Sequence, residues 1–366
     1  MKKLLFYVNS MNAYGGIERV ISNLANSLVD NFEITILVKD NPISSYPLNP
    51  KIKIESLDTA LVMDMSSRLK RIFSVPVNIV NSVRVLKKYF KTHHFDLVYT
   101  AYITNGLEIY LAEKNLRKKL VASEHASYYA YNSVYQRMKT FLYPRLKIIS
   151  VPTTMDTEIY QNKGYHAVYI PHLSTFSASP LVSKDTKTII NVGRLTSDKQ
   201  QQMLLEIWQL VNQKLPEHHW KLQIIGSGEE ENHLKNFARS NKIANVSFIP
   251  HTSKITDYYQ KAELFVFTSK MEGFGMVLLE AMSFGVPCIS FDSPSGPRDI
   301  VKDENNGYLI PCYDKELFAN RICEFITKNN NDKEQMKKAA LDTIINWDND
   351  AIIQKWLNVF NDLEKN

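Results

Sequence analysis

Apolar positions along the first half of the chain fall into short runs separated by stretches of helical period. KKLLFYV is a run of the buried-strand type that ends at Asn9, and after the loop Ser10-Met11-Asn12-Ala13-Tyr14-Gly15-Gly16 a 3.6-residue period carries from Ile17 to about Val29. Further strand patterns lie at 32–38, 95–100, 119–124 and 147–152, most of them separated by helix-like stretches. Alternation of this kind predicts a parallel, doubly wound sheet. The pattern loosens after Pro171 in HLSTFSASPLVSKD and restarts as a strand at 188–193. From there strands are expected at 220–226, 245–249, 263–268, 286–292 and 307–311, separated by amphipathic helices. Two Rossmann-like domains facing one another follow: 1–170, a linker over 171–187, and 188–348. The segment 333–365 reads as helices whose Trp347, Ile352, Ile353, Trp356, Leu357 and Phe360 are core positions.

Length supports this division, since 366 residues suffice for two domains with cores of their own. With 44% hydrophobic and 22% charged residues, neither disorder nor a fibrous repeat fits. No apolar run approaches the roughly 18–20 residues of a spanning helix, and the start Met1-Lys2-Lys3 with LLFYV is too short for a secretory signal, so a cytoplasmic protein is expected. Cys288, Cys312 and Cys323 lack CxxC spacing, which points to reduced thiols rather than disulfides or a zinc knuckle. The net charge of +6 is uneven. Residues 1–170 carry 22 Lys+Arg against 13 Asp+Glu, a balance of +9, while 171–366 carry 22 against 25, a balance of −3. A basic front half implies an anionic partner: a phospholipid surface, a phosphorylated substrate or nucleic acid.

The most informative stretch is EGFGMVLLEAMSFGVP, 272–287, which reads as loop, helix and tight return between two strands. Gly273 and Gly275 around Phe274 allow close backbone approach to a ligand, and the N–H groups of Gly275, Met276 and Val277 open a helix suited to a phosphate or a sugar hydroxyl. Glu272 in the loop and Glu280 within the helix can accept hydrogen bonds from two separate polyols on either side of that site.

Glu, seven residues, Glu with an internal GFG resembles the signature of glycosyltransferase family 4, the retaining GT-B enzymes. Asn191-Val192-Gly193-Arg194-Leu195-Thr196-Ser197-Asp198-Lys199 resembles the family's strand-end GR followed five residues later by Lys. The resemblance gives Arg194 and Lys199 the donor diphosphate, and a planar fork with a point charge suits a leaving pyrophosphate. Ile225-Gly226-Ser227-Gly228-Glu229 is similar to the turn near the nucleobase, and Phe248-Ile249-Pro250 to the strand end beside it. Gly15-Gly16-Ile17-Glu18-Arg19 looks like the GG loop between acceptor and donor sites, and His125 stands where the family often places an active-site histidine that contacts the transferred sugar or the acceptor. Ser295-Gly296-Pro297-Arg298-Asp299 departs from the family's usual Gly-Gly and Glu loop. The resemblance covers most of the chain and is strongest over 188–310.

It implies a GT-B architecture with the active site in the cleft between the two domains, and a terminal helix of about 349–366 packing back on the first. The implied reaction moves a hexose-type sugar, with retention, from a nucleotide-diphosphate sugar, UDP-linked by expectation, by front-face attack. His125, Arg194, Lys199 and Glu272 are the expected catalytic group. Gly15, Gly16, Gly226, Gly228, Ile249, Pro250, Gly273, Phe274, Gly275, Met276, Val277 and Glu280 are the expected donor contacts. No cofactor is expected. Asp348-Asn349-Asp350 resembles a metal-binding DxD but precedes a terminal helix and reads as an N-cap, so no essential metal is expected either.

The acceptor is read from the basic half. In 77–91, Ile79, Val80, Val83, Leu86 and Phe90 share a helical face, with Arg84, Lys87, Lys88 and Lys91 mostly elsewhere and Arg68, Lys70 and Arg71 upstream. Such a helix can lie on an anionic membrane or pack on its own sheet, and both readings stand. Tyr128, Tyr129, Tyr131, Tyr135, Arg137, Lys139, Phe141 and Tyr143 mix aromatics with cations as interfacial segments do. The expected acceptor is a saccharide or a lipid-linked saccharide at the inner membrane face, in surface polysaccharide assembly. A dinucleotide oxidoreductase would also be doubly wound, but only Gly15-Gly16 follows the first strand and no GxGxxG fingerprint speaks for it, and no nucleic-acid reading motif is present. A nucleotide-sugar epimerase of the same architecture, and a basic membrane- or nucleic-acid-binding protein without catalysis, are the alternatives.

Overall fold

The structure, a computed structural model, describes residues 1–59, 68–179 and 186–365, with backbone alone for 68–74. Residues 180–185 of the expected linker, and the side chains of Arg68, Lys70 and Arg71, lie outside what is described. The chain divides into two compact units: Met1–Leu173 together with Asn349–Asn366, and Ser174–Asp348.

In the first unit, β1 (Lys2–Tyr7) leads to α1 (Gly16–Leu28), then β2 (Phe32–Val38), β3 (Lys53–Ser56) and α2 (Arg68–Tyr89). After these come β4 (Leu97–Thr100), α3 (Ile103–Ala112), β5 (Leu120–Ser123), α4 (Ser133–Leu142), β6 (Ile148–Val151), α5 (Thr154–Asn162) and β7 (Ala167–Tyr169). All pairings are parallel, in the order β3-β2-β1-β4-β5-β6-β7. Leu4 to Val8 are wholly inaccessible, as a continuous apolar run should be when helices cover both faces of a sheet. Helix α1 buries Val20, Ile21, Leu24, Ala25 and Leu28, a single stripe at helical spacing.

Two expectations for this unit change. Ile79, Leu86 and Phe90 are buried, and Leu86 and Phe90 join the sheet's core, so the face of α2 offered to a membrane is already used. Val80 is exposed rather than on that face. The cluster from Tyr128 to Tyr143 is turned inward at its centre. Lys139 is 1% exposed, donates to Glu124 at 2.9 Å and to the Tyr160 hydroxyl at 2.7 Å, and lies over the Tyr131 ring at 3.1 Å, while Tyr143 donates to the other Glu124 oxygen. The physical reason is spacing: Lys139 shares its helical face with Tyr135 and Leu142.

The second unit runs β8 (Thr188–Val192), α6 (Gln201–Lys214), β9 (Lys221–Ile225), α7 (Glu231–Ser240), β10 (Val246–Ile249), α8 (Ile255–Lys261) and β11 (Leu264–Phe267). It continues with α9 (Met276–Ser283), β12 (Cys288–Phe291), α10 (Pro297–Ile300), β13 (Gly307–Ile310), α11 (Lys315–Thr327) and α12 (Asn330–Ile345). Its strand order is β10-β9-β8-β11-β12-β13. The period of two along the strands separates two apolar layers: Ile189, Ile224, Leu264 and Val266 face Trp208 and Phe318, whereas Ile190, Ile225, Phe265 and Phe267 face Tyr259 and Leu279.

The segment read as terminal helices breaks after Ile345, and α13 (Asn349–Glu364) belongs to the first unit. It buries Ile352, Trp356, Val359, Phe360 and Leu363, each worth about 1.5–3 kcal/mol for full burial of a large apolar side chain. Trp356 meets the Tyr99 ring edge-on at 5.5 Å, and Phe360 meets Phe32 at 5.5 Å.

Candidate active site

In each sheet the strand order reverses once, between β1 and β4 in the first unit and between β8 and β11 in the second. Loops at the carboxyl ends of strands flanking such a reversal diverge and leave a crevice where ligands bind. In the second unit that position collects Arg194 and Lys199 after β8 and Glu272 after β11.

The β8 loop is shaped by backbone pairing with its neighbour. Gly193 N–H donates to Ile225 O at 3.1 Å, Leu195 N–H to Ser227 O at 3.0 Å, and Glu230 N–H to Leu195 O at 3.0 Å. A Cβ at Gly226 would sit 1.9 Å from Gly193 O, and one at Gly228 would sit 2.2 Å from Leu195 O. These glycines are therefore required by the approach of two loops, which fixes the segment carrying Arg194. Leu195 is buried and Arg194 is exposed, with no ion pair among the described residues. Lys199 closes a single turn, Ser197–Lys199, that the Thr268 hydroxyl holds through Lys199 O at 3.2 Å and that Lys270 N–H holds through Asp198 O at 2.8 Å.

Lys199 forms an ion pair with Glu272 and lies 3.8 Å from Asp198, so two of the expected catalytic residues touch. The Glu272 backbone is tied to the next loop, donating to Pro294 O at 2.7 Å and accepting from Ser295 N–H at 2.8 Å. Gly275, with φ of +93°, turns the chain into α9, whose first N–H groups have no partner within the helix. Phe274 is buried against Trp347 at 5.8 Å and its backbone lies against Gly296, where a Cβ would sit 1.9 Å from Phe274 O, so the residue anchors the loop. Met276 and Val277 are half-buried. Glu280 is 2% exposed and accepts from the Tyr259 hydroxyl at 3.0 Å. Ile249 O accepts from Gly226 N–H at 2.9 Å, and Pro250 is exposed. Arg298, in the divergent loop, is held in a two-point pair by Asp292 at 3.0 and 2.7 Å. Two cations, a helix start and a carboxylate thus stand together, a set suited to an anion joined to a polyol.

In the first unit, Gly15 caps α1, and a Cβ there would lie 2.2 Å from the carboxylate of Glu18, while one at Gly16 would meet open space. His125 follows β5. Its Nε2 lies 2.8 Å from the Tyr99 hydroxyl, its ring stacks on His172 at 5.2 Å and 16°, and its enclosed Nδ1 has no partner among the described residues. Burial pulls the His125 pKa down to about 3, and burial with the neighbouring His125 pulls His172 well below its usual value. Sequence reasoning missed Tyr99 and His172. The available signal for His172 was its place just past a strand end, the same as that of His125.

Among the described residues no group of three His, Cys, Asp or Glu could hold a metal ion, and no helix is long and apolar enough to cross a membrane.

The family model described as Glycosyl transferases group 1 matches residues 174–343, and that described as Glycosyltransferase Family 4 matches residues 14–172. The amylovoran biosynthesis glycosyltransferase AmsD of Erwinia amylovora is 26% identical, covering 99% of this chain and 100% of its own. A Campylobacter jejuni alpha-1,4-N-acetyl-D-galactosaminyltransferase, named for a diNAcBac-PP-undecaprenol-linked substrate, is 25% identical over 98% of each chain. The crystal structure of S. aureus TarM (G117R mutant) in complex with fondaparinux, alpha-GlcNAc-glycerol and UDP superposes with a TM-score of 0.80 at 15% identity, covering 99% of this chain and 100% of its own. Together with two parallel, doubly wound sheets of seven and six strands, these matches make the chain a glycosyltransferase of family 4 with the GT-B fold.

Proposed function

We propose that the protein moves a hexose-type sugar, with retention, from a UDP-sugar to a saccharide or lipid-linked saccharide acceptor during assembly of a bacterial surface glycan. The observation that carries this reading is the gathering of Arg194, Lys199, Glu272 and the start of α9 at the β8/β11 reversal. UDP as carrier is supported by its presence in the TarM complex, and a lipid-linked acceptor by the name of the C. jejuni relative.

In this reading the exposed Arg194 guanidinium and the Lys199 ammonium take the diphosphate and stabilise its charge as the glycosidic bond breaks. In the free protein Glu272 keeps Lys199 in place, and with donor bound its carboxylate, together with the GFG backbone, orients sugar hydroxyls. Glu280 takes the ribose. The acceptor oxygen attacks from the face that the diphosphate leaves, and a phosphate oxygen accepts its proton. His125 supports the reacting sugar as a neutral group. No metal or cofactor is assigned a step, and the basic surface of the first unit, where Lys87 and Lys88 are exposed, is proposed as a peripheral membrane contact.

The test is a calorimetric panel of UDP, GDP, ADP and their common sugar conjugates against the wild type and Glu280→Ala. Binding of UDP or a UDP-sugar, weakened by the substitution, is the expected result. Folded protein that binds none at millimolar concentration would refute the donor assignment. Conversion of the sugar nucleotide to an epimer without any acceptor would replace the transferase reading.

A further inference from the structure

His125 sits in a frame that its own sequence neighbourhood does not supply. Tyr99 comes from β4, His172 from the segment after β7, and Trp356, which meets the Tyr99 ring at 5.5 Å, from α13. Tyr99 is fully buried, with its hydroxyl 2.8 Å from His125 Nε2. A phenol hydroxyl has one proton to give and two lone pairs to receive with. Ser123, buried on β5, is a second polar neighbour of that oxygen. Burial meanwhile holds the phenol well above its usual pKa, so its proton stays in place and is free to go to the imidazole.

We propose that Tyr99 is a positioning residue: its hydroxyl donates to Nε2 of His125 and fixes that imidazole as the Nδ1–H tautomer, whose N–H is reserved for an oxygen of the bound sugar. The inference rests on the transferase reading only for the identity of that oxygen. The second half follows from accounting for donors. With Nε2 acting as acceptor, the proton lies on Nδ1, and this enclosed atom has no acceptor among the described residues. A buried donor without a partner is costly and calls for an explanation, which an oxygen of a bound ligand supplies here. Stacking on His172 fixes the ring plane, leaving the tautomer as the property Tyr99 controls. The charged groups nearby do not compete, because Glu124 is taken up by Lys139 and Tyr143.

The tautomer can be read on the free protein, without activity, from long-range proton–nitrogen correlation spectra of protein carrying 15N-histidine, with His125 assigned through His125→Asn. Expected is an Nδ1–H pattern for His125 that does not titrate between pH 8 and 5. In Tyr99→Phe the expected pattern moves to Nε2–H or a mixture, while His172→Leu keeps the wild-type tautomer. An Nε2–H pattern or an imidazolium in the wild type overturns the proposal whether or not the variants fold, and an unchanged pattern in folded Tyr99→Phe overturns it too. Adding UDP-glucose or UDP-N-acetylglucosamine should then move the Nδ1 resonance, whereas UDP alone should not. Equal movement with UDP alone, or none with protein that binds the sugar nucleotides, overturns the sugar contact. Failure to bind any of the three ligands overturns the transferase reading instead, and is told apart because the tautomer has already been measured. In turnover, Tyr99→Phe should lose about tenfold in kcat with the KM for donor within about twofold, the mark of a contact made chiefly in the transition state.

Discussion

The two units place their best-defined cations differently, although the second also buries Lys337 beside Glu263. In the second, Arg194 is exposed and Lys199 only partly covered, at the carboxyl ends of the strands where the order reverses. In the first, Lys39 and Lys139 are each 1% exposed and enclosed with carboxylates and tyrosines: Lys39 donates to Glu108 at 2.7 Å, Tyr7 donates to the other Glu108 oxygen at 2.7 Å, and Lys139 is held by Glu124 and Tyr160. A cation at the end of an apolar strand and a cation in an exposed loop look alike in a charge count. Two of the 22 cations of residues 1–170 are therefore internal framework, each matched by a buried carboxylate, so the excess of +9 is carried by the others.

That contrast breaks most sharply on removal of a buried cation. Lys39→Met and Lys139→Met, which strand Glu108 or Glu124, should each cost about 3–5 kcal/mol. Urea unfolding followed through the tyrosines of the first unit reads this, and a loss under 1 kcal/mol would mean the pairs are not framework. Next come Arg194→Ala and Lys199→Ala, expected to slow transfer by on the order of 100-fold or more. Arg194→Ala should leave the urea midpoint unchanged within about 0.5 kcal/mol, and a stability loss without a rate effect would reverse its assignment. Gly228→Ala should destabilise the second unit by about 1–3 kcal/mol, because the new methyl meets Leu195 O.

The pH dependence sharpens the same contrast. His125 and His172 have pKa values depressed in the folded state, so below the ordinary value near 6.5 the unfolded chain binds protons that the folded chain refuses. Their contribution to stability is complete above that value and falls as pH drops below it, for His125 down to about 3, by at most about 1.4 kcal/mol per pH unit for each histidine. Unfolding of the first unit at pH 7 and pH 5 tests this, and His172→Leu should flatten the slope. The smallest effect belongs to Gly16→Ala. Its Cβ meets open space, so stability should stay within about 0.5 kcal/mol, and any larger fall in transfer points to a ligand at that backbone.

Most of the second unit was legible because β8, β11, β12 and β13 are buried or nearly buried runs and its loops carry glycines that two approaching backbones require, as at Gly226 and Gly228. Strand β3, an edge with Lys53 exposed and the rest half-buried, and β7, three residues long, gave no apolar run to find. The network around Glu108 joins residues 69 and 101 positions apart, a separation at which no periodic pattern operates. The partners of His125 come from β4 and from beyond β7 for the same reason. The inward turn of Lys139 was readable in principle, since the helical spacing of Tyr135, Lys139 and Leu142 places the cation on the apolar face.

The return of α13 also sets an order of maturation. The ribosome makes β1 to β7 first, but Phe32 and Tyr99 receive Phe360 and Trp356 only after the whole of the second unit has emerged. The second unit is one continuous segment and can close its core as soon as its own residues are out. The first half of the chain to be made is thus the last to be finished, and until then its apolar surface needs shielding against aggregation, a task for chaperones or for fast synthesis.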